Sequence, residues 1–220
     1  MKCKTYYLTL KTDKPIYSSA NSLRGFIGRQ FQHLTLLHNH SADGSLIYTF
    51  PRVQYRIMNG YPVIIGIEEG IESVKLMAHS IVHLLLNDAS FQVKKRIEIE
   101  KENDFGIVNN DNNYTFINSW LALNKGNYKK YKLCKTMSEK KKLLEKVILP
   151  ANIISMSKSL GYTVPAPIEA KIINLKEVQT SLKGTPMLGF LGNFSVNFEI
   201  PDYWGIGKSV SRGFGTVKRV

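Results

Sequence analysis

The sequence predicts an α+β chain of 220 residues built as two similar units. Three observations carry that expectation. Alternating and helically spaced apolar residues succeed one another as β-α-β-β-α-β across residues 1–105. A polar run, "NDFGIVNNDNNY", then interrupts the pattern and reads as a connector. Beyond it a strand, a helix and two strands return, closed by a glycine-rich loop and a short last strand. The order is that of a ferredoxin-like (RRM-like, βαββαβ) domain. The expected organisation is therefore tandem ferredoxin-like domains, at 1–105 and 113–220, with the second helix of the second domain replaced by the C-terminal glycine-rich loop.

The elements follow in order. "KCKTYYLTLK" alternates as an opening strand. Leu23, Phe26, Ile27, Gln30, Phe31 and Leu34 fall at helical spacing, with Ser18 or Ser19 as N-cap. Gly44 breaks the chain, and two strands joined at Asn59-Gly60 read as a hairpin. Ile71, Val74, Met77, Ala78, Ile81, Leu84 and Leu85 then share one face of a second helix, and "SFQVKKRIEIEKE" alternates as a strand. In the second half, "TFINSWLALN" is the first strand and a lysine-rich segment leads into a helix from about Ser138 to Leu160. "APIEAKIINLKEVQTSLKG" and "TPMLGFLGNFSVNFEIP" read as strands, the latter made irregular by its glycines.

Composition narrows the partner class. With 43% hydrophobic residues the chain can bury real cores. No apolar run is long enough to span a bilayer, and the N-terminus lacks the apolar stretch of a signal peptide, so a cytoplasmic protein is expected. Cys3 and Cys134 lie far apart without ligand spacing and read as reduced thiols. Thirty Lys+Arg against 17 Asp+Glu give +13, and the charge is segregated. Lys125 to Lys146 carries nine lysines and two glutamates, and no acid follows Asp202. Segregated positive charge suits a polyanion, because each neutralised phosphate releases counterions. Nucleic acid is favoured over a membrane surface, since the basic tail carries glycines where a membrane-lying helix needs helix formers.

The C-terminal loop is the most specific feature: Gly205-Ile206-Gly207, five residues, then Gly213-Phe214-Gly215. Glycines permit close backbone approach, so successive N–H groups can cradle phosphate oxygens, with Lys208 and Arg212 adding charge. It is neither a Walker loop nor a dinucleotide fingerprint. This stretch, "GIGKSVSRGFG", resembles the hallmark of the CRISPR-associated repeat endoribonucleases (Cas family six) of the RAMP superfamily. That hallmark is glycine, hydrophobic, glycine, about five Lys/Arg-rich residues, and glycine, hydrophobic, glycine. The tandem fold fits the same family, so the resemblance spans the chain.

The resemblance implies a metal-independent endoribonuclease without cofactor that cuts CRISPR precursor RNA within its repeats to generate crRNAs for antiviral defence. The ribose 2′-OH attacks the adjacent phosphate and leaves a 2′,3′-cyclic phosphate and a 5′-OH. Members place a catalytic histidine at or just past the end of the first helix, where "LHNHS" puts His38 and His40. In-line attack needs a base, an acid and a cation near the phosphate. Two imidazoles titrating near neutrality suit the first two roles. In an extended segment they would lie roughly 6–7 Å apart on one side. Tyr48 is their helper. Arg52 or Lys208 offsets developing charge, and Arg24 and Arg29, flanking Gly25, join Gly205, Gly207, Gly213, Gly215 and Arg212 as the expected RNA-binding set.

Other readings are weaker. His38 and His40 alone are too few for zinc, with only Asp43 nearby. His33 reads as a helix-end residue. His79 and His83, four apart on the second helix, lack the His-Glu pair of a zincin. "GFIG" spells a KH loop but lies within a helix. The lysine run at 125–146 is either a solvated face or a polyanion patch. Expected partners are CRISPR repeat RNA or crRNA, with other Cas effector subunits or a second copy compatible with the sequence. The alternatives are a non-catalytic RAMP subunit and a generic RNA-binding module.

Overall fold

The computed structural model describes residues 1–38 and 49–220. Its backbone divides into two compact units. One comprises Lys2–Asn103 with Ser211–Gly213, and the other Met1, Asp104–Val210 and Phe214–Val220. No helix among the described residues is long and apolar enough to cross a membrane.

In the N-terminal unit, β1 (Lys2–Thr12) alternates buried and outward residues as the sequence pattern requires. Helix α1 (Ala20–Gln30) starts where Ser19 accepts a hydrogen bond from the Ser22 N–H at 3.1 Å, a cap worth about 1 kcal/mol. It buries Leu23 and Ile27 together with Arg24. The helix stops four residues short of Leu34, and a 3-10 turn at Thr35–Leu37 carries the chain on. Strands β2 (Val53–Met58) and β3 (Tyr61–Ile67) pair antiparallel. They turn at Asn59 and Gly60, both at positive φ.

Helix α2 is shorter than the sequence predicts. It spans Gly70–Ala78, and His83–Leu86 form strand β4 instead of the helix's last turns. The cause is local: Asn87 and Asp88 both adopt positive φ and make a two-residue hairpin, with Leu86 opposite Ala89. Ile81, Leu84 and Leu86 are still buried, so the apolar positions serve strand spacing and core alike. His79 and His83 therefore do not share a helix. Strand β5 (Ala89–Asp104) completes a five-stranded sheet ordered β2-β3-β1-β5-β4. Without the added edge strand β4 this is the ferredoxin-like order.

In the C-terminal unit the expected connector is a strand. β6 runs Gly106–Trp120, and its polar part bulges between Ile107 and Asn112 in pairing with β8. The buried Asn112 side chain holds that irregularity, donating to Glu199 Oε2 at 2.8 Å and accepting from Arg219 at 2.6 Å. The helical layer is α3 (Lys125–Leu133), α4 (Met137–Leu143), a π-type turn and α5 (Leu149–Ser159). β7 (Ala170–Leu182) and β8 (Thr185–Glu199) form a long hairpin, and β9 (Val217–Arg219) closes a sheet ordered β7-β8-β6-β9. Its core is aromatic: Phe116 stacks on Trp120 at 4.9 Å and lies 4.8 Å from Phe194. The glycine-rich loop stands where a second helix would be, so each unit is ferredoxin-like and the fold is α+β.

Candidate functional site

The N-terminal unit sets four of the expected residues along α1: His38 against its C-terminal end, Arg24 on the helix itself, and Arg212 and Gly213 against its first turn. His38 follows the 3-10 turn, and its half-buried side chain folds back on the helix. A side chain at Gly28 would start 3.2 Å from the His38 Cβ, so the glycine is what admits the imidazole there. Hydrogen bonds then fix the residue. Its Nε2–H donates to the Gln32 carbonyl at 2.9 Å, Arg24 Nη2 donates to its backbone carbonyl, and Tyr55 Oη donates to the preceding carbonyl of Leu37 at 2.8 Å. Because a carbonyl can only accept, the neutral ring carries its proton on Nε2 and its lone pair on Nδ1.

Arg24 and Arg212 form the second component. Arg24 is only 9% exposed, and its buried Nε has no hydrogen-bond acceptor among the described residues. Its pKa lies below the usual arginine value, first through burial and then through repulsion from Arg212. Arg212 is half-buried, its own pKa lowered by burial, and it donates to the Asn21 side chain on α1. Gly213, at φ +94°, makes this approach possible, since a Cβ there would meet the Ala20 Cβ at 2.8 Å. Neither guanidinium has a carboxylate within salt-bridge distance among the described residues. Two partly desolvated cations with no acid beside them among the described residues have the charge and donor geometry that an anion such as phosphate can use.

The other expected residues are distributed differently. Arg52 pairs with Glu69 and so has the carboxylate that Arg24 and Arg212 lack. Arg29 is exposed on another face of α1 and lines a cavity with His83 and Leu85. Lys208 belongs to the C-terminal unit and lines a cavity there with Tyr128 and Tyr131. The glycines of the loop fold it on itself. Gly205 bridges Thr216, the Ile206 N–H donates to Gly215 at 2.9 Å, and those of Lys208 and Gly215 donate to Leu121 and Ser119. Those three N–H groups therefore hold the loop together rather than face outward. His40 and Tyr48, with Asp43 and Gly44, lie outside the described residues. His33 is exposed at 6.4 Å from the Phe31 ring, and His79 is exposed beside Glu98 at 3.9 Å.

Sequence reading missed Tyr55, Asn21 and Gln32. Tyr55 is fully buried, and burial drives its hydroxyl far above the normal tyrosine range, so it acts only as a donor. A tyrosine between Gln54 and Arg56 in a strand gave no signal that its hydroxyl serves the histidine turn.

The family models bear on the whole chain. The Cas6b N-terminal domain matches residues 1–104, and the Cas6b C-terminal domain matches residues 106–220. The chain belongs to the Cas6b family. A Cas6b crystal structure is similar over 100% of both chains, with a TM-score of 0.93 at 33% identity. The crystal structure of a CRISPR RNA processing endoribonuclease Cas6b is similar over 100% of both chains, with a TM-score of 0.78 at 31% identity. A Methanocaldococcus jannaschii protein is 46% identical over 122 residues, 54% of this chain and 80% of that protein. Among the described residues of this Cas6b chain, the fixed imidazole and the arginine pair without a carboxylate partner are features with chemistry to offer.

Proposed function

We propose that this Cas6b-family protein is an endoribonuclease that cuts CRISPR precursor RNA within its repeats to release crRNAs. The carrying observation is a tethered histidine whose backbone is held by the buried Arg24, itself beside the half-buried Arg212, with no carboxylate partner for either arginine among the described residues. That set suits a reaction at a phosphodiester. Attack by the 2′-OH forms a 2′-O–P bond and breaks the bond to the departing 5′-oxygen, giving a 2′,3′-cyclic phosphate and a 5′-OH. A base takes the 2′-OH proton, an acid supplies one to the 5′-oxygen, and cations offset charge on the phosphate. His38, its Nε2 held by the Gln32 carbonyl, takes one of the two proton-transfer roles, and Arg24 with Arg212 receives the phosphate. His40 shares the acid/base work and Tyr48 assists, both assigned on sequence position. No metal enters the scheme, because these side chains fill each role it requires.

The test incubates the protein with repeat RNA in EDTA and follows both binding and product ends. Cleavage with 2′,3′-cyclic phosphate ends supports the proposal. Tight binding without cleavage would make the protein a crRNA-binding subunit instead.

A further inference from the structure

The lysine run left a second feature outside the histidine site. On α3, Lys125, Tyr128 and Tyr131–Lys132 recur at three and four residues and so share one helix face. That face looks into a cavity of about 510 Å³ in the C-terminal unit, within the size range of small-ligand sites. The floor is one side of the β7–β8 hairpin, where Glu177 and Gln179 oppose Phe190 and Leu188. Lys140 and Lys208 complete the lining, so four lysines face a single carboxylate.

That carboxylate is engaged. Glu177 Oε1 accepts from Tyr131 Oη at 2.8 Å and from Lys140 Nζ at 3.0 Å, and Lys140 also lies 4.8 Å above the Tyr131 ring. Lys125 and Lys208 have no carboxylate partner among the described residues. Tyr131 is only 2% exposed and packs edge-on against Phe190, which makes it wall rather than ligand surface. Tyr128 differs. It is 44% exposed and makes no ring contact among the described residues.

An accessible aromatic ring beside uncompensated ammonium groups matches an unpaired nucleotide, whose base stacks while its phosphate is held by charge. A paired base would keep its face inside the helix stack. We infer that this cavity is a second RNA contact, taking one unpaired nucleotide with its base on Tyr128 and its phosphate among Lys125, Lys132 and Lys208. The inference rests on the RNA reading above and adds to it where the RNA is bound and in what form.

The test measures binding of a single-stranded oligouridine pentamer by fluorescence anisotropy, alongside repeat cleavage by the same preparations. Tyr128→Ala should weaken pentamer binding about ten-fold while Tyr128→Phe retains it, since stacking needs the ring and not the hydroxyl. The double variant Lys125→Glu/Lys132→Glu should weaken it further and flatten its salt dependence. Circular dichroism establishes that each variant is folded. Pentamer affinity unchanged in folded Tyr128→Ala would overturn the inference, as would equal competition by polyglutamate, which would mark a general acidic-partner surface. If wild-type protein binds the pentamer in this way but cuts no repeat RNA, the proposed function fails and the cavity assignment stands.

Discussion

The guanidinium of Arg24 donates to the backbone carbonyl of His38, so a buried cation on α1 holds the residue that follows the helix-end turn. One arginine thus links the two halves of the candidate site, positioning the imidazole through one nitrogen while its charge stands beside Arg212. Its own burial is unfavourable, because a desolvated guanidinium with no carboxylate among the described residues sacrifices stability.

Arg24→Met should therefore separate stability from function. Thermal unfolding should leave Tm unchanged or raise it, since a buried charge is replaced by an apolar chain of similar length. RNA affinity should fall, and the slope of log K against log salt should shrink by about 0.9 for the lost phosphate contact. A marked drop in Tm with an unchanged salt slope would make Arg24 purely structural.

His38→Ala should lower the single-turnover cleavage rate by about 10²–10⁴-fold, the range of a lost general acid or base. Binding of uncleaved RNA, measured by anisotropy, should hold. Cleavage near the parental rate would move the catalytic role to residues outside the described set.

Tyr55→Phe removes one oxygen and leaves the Leu37 carbonyl without its 2.8 Å donor. A buried acceptor so orphaned costs about 1–3 kcal/mol, readable in urea unfolding. If the hydroxyl also positions His38, kcat should fall while KM stays level. Equal losses in both would instead report a general loosening of the fold.

Gly213→Val places a branched side chain where φ is +94° and Ala20 lies 2.8 Å from the new Cβ. Backbone strain of this kind costs about 1–3 kcal/mol before the clash is counted. RNA binding should weaken along with stability, because Arg212 is the adjacent residue. A variant at Lys218, exposed on β9, should change neither unfolding nor the loop.

Cys3 gives a pH prediction. Burial, and then the nearby Glu68, raise its thiol from 9.0 to about 11. Between those values the folded chain keeps a proton that the unfolded chain has lost, so stability should fall as pH rises from about 9 to about 11. Below 9 the thiol adds no pH dependence. At pH 8 a thiol reagent should modify the half-buried Cys134 first, with Cys3 reacting only on unfolding. Loss of the pH 9–11 slope in Cys3→Ala would assign it to this thiol.

What was legible in the sequence had local causes. The period-2 and period-3.6 runs specified β1, α1, β7 and β8, and Asn59-Gly60 specified its hairpin. Where reading failed, another contact decided. Ile81 and Leu84 fit a helical face as well as a strand, and the positive φ of Asn87 and Asp88 tipped the segment into β4. The Asn-rich run looked like a linker because its strand pairing depends on Asn112 reaching Glu199 and Arg219, residues distant in sequence. At the site, His38 and Arg212 were visible by position and motif. That Arg24 rather than Arg29 lies beside them was not, since the two differ only in which helix face each occupies. Lys208 and Arg212 shared one loop in the sequence, yet one lines a cavity and the other packs on α1.

Cleavage by the RNA's own 2′-hydroxyl is the step on which the proposed function turns. The most direct measurement compares, in EDTA, single-turnover cleavage of repeat RNA with the same RNA carrying one 2′-deoxy nucleotide at the scissile position. The first should be cut, with a 2′,3′-cyclic phosphate end, and the second should stay intact while still binding. Equal cutting of both, or cutting only when a divalent cation is restored, would contradict it.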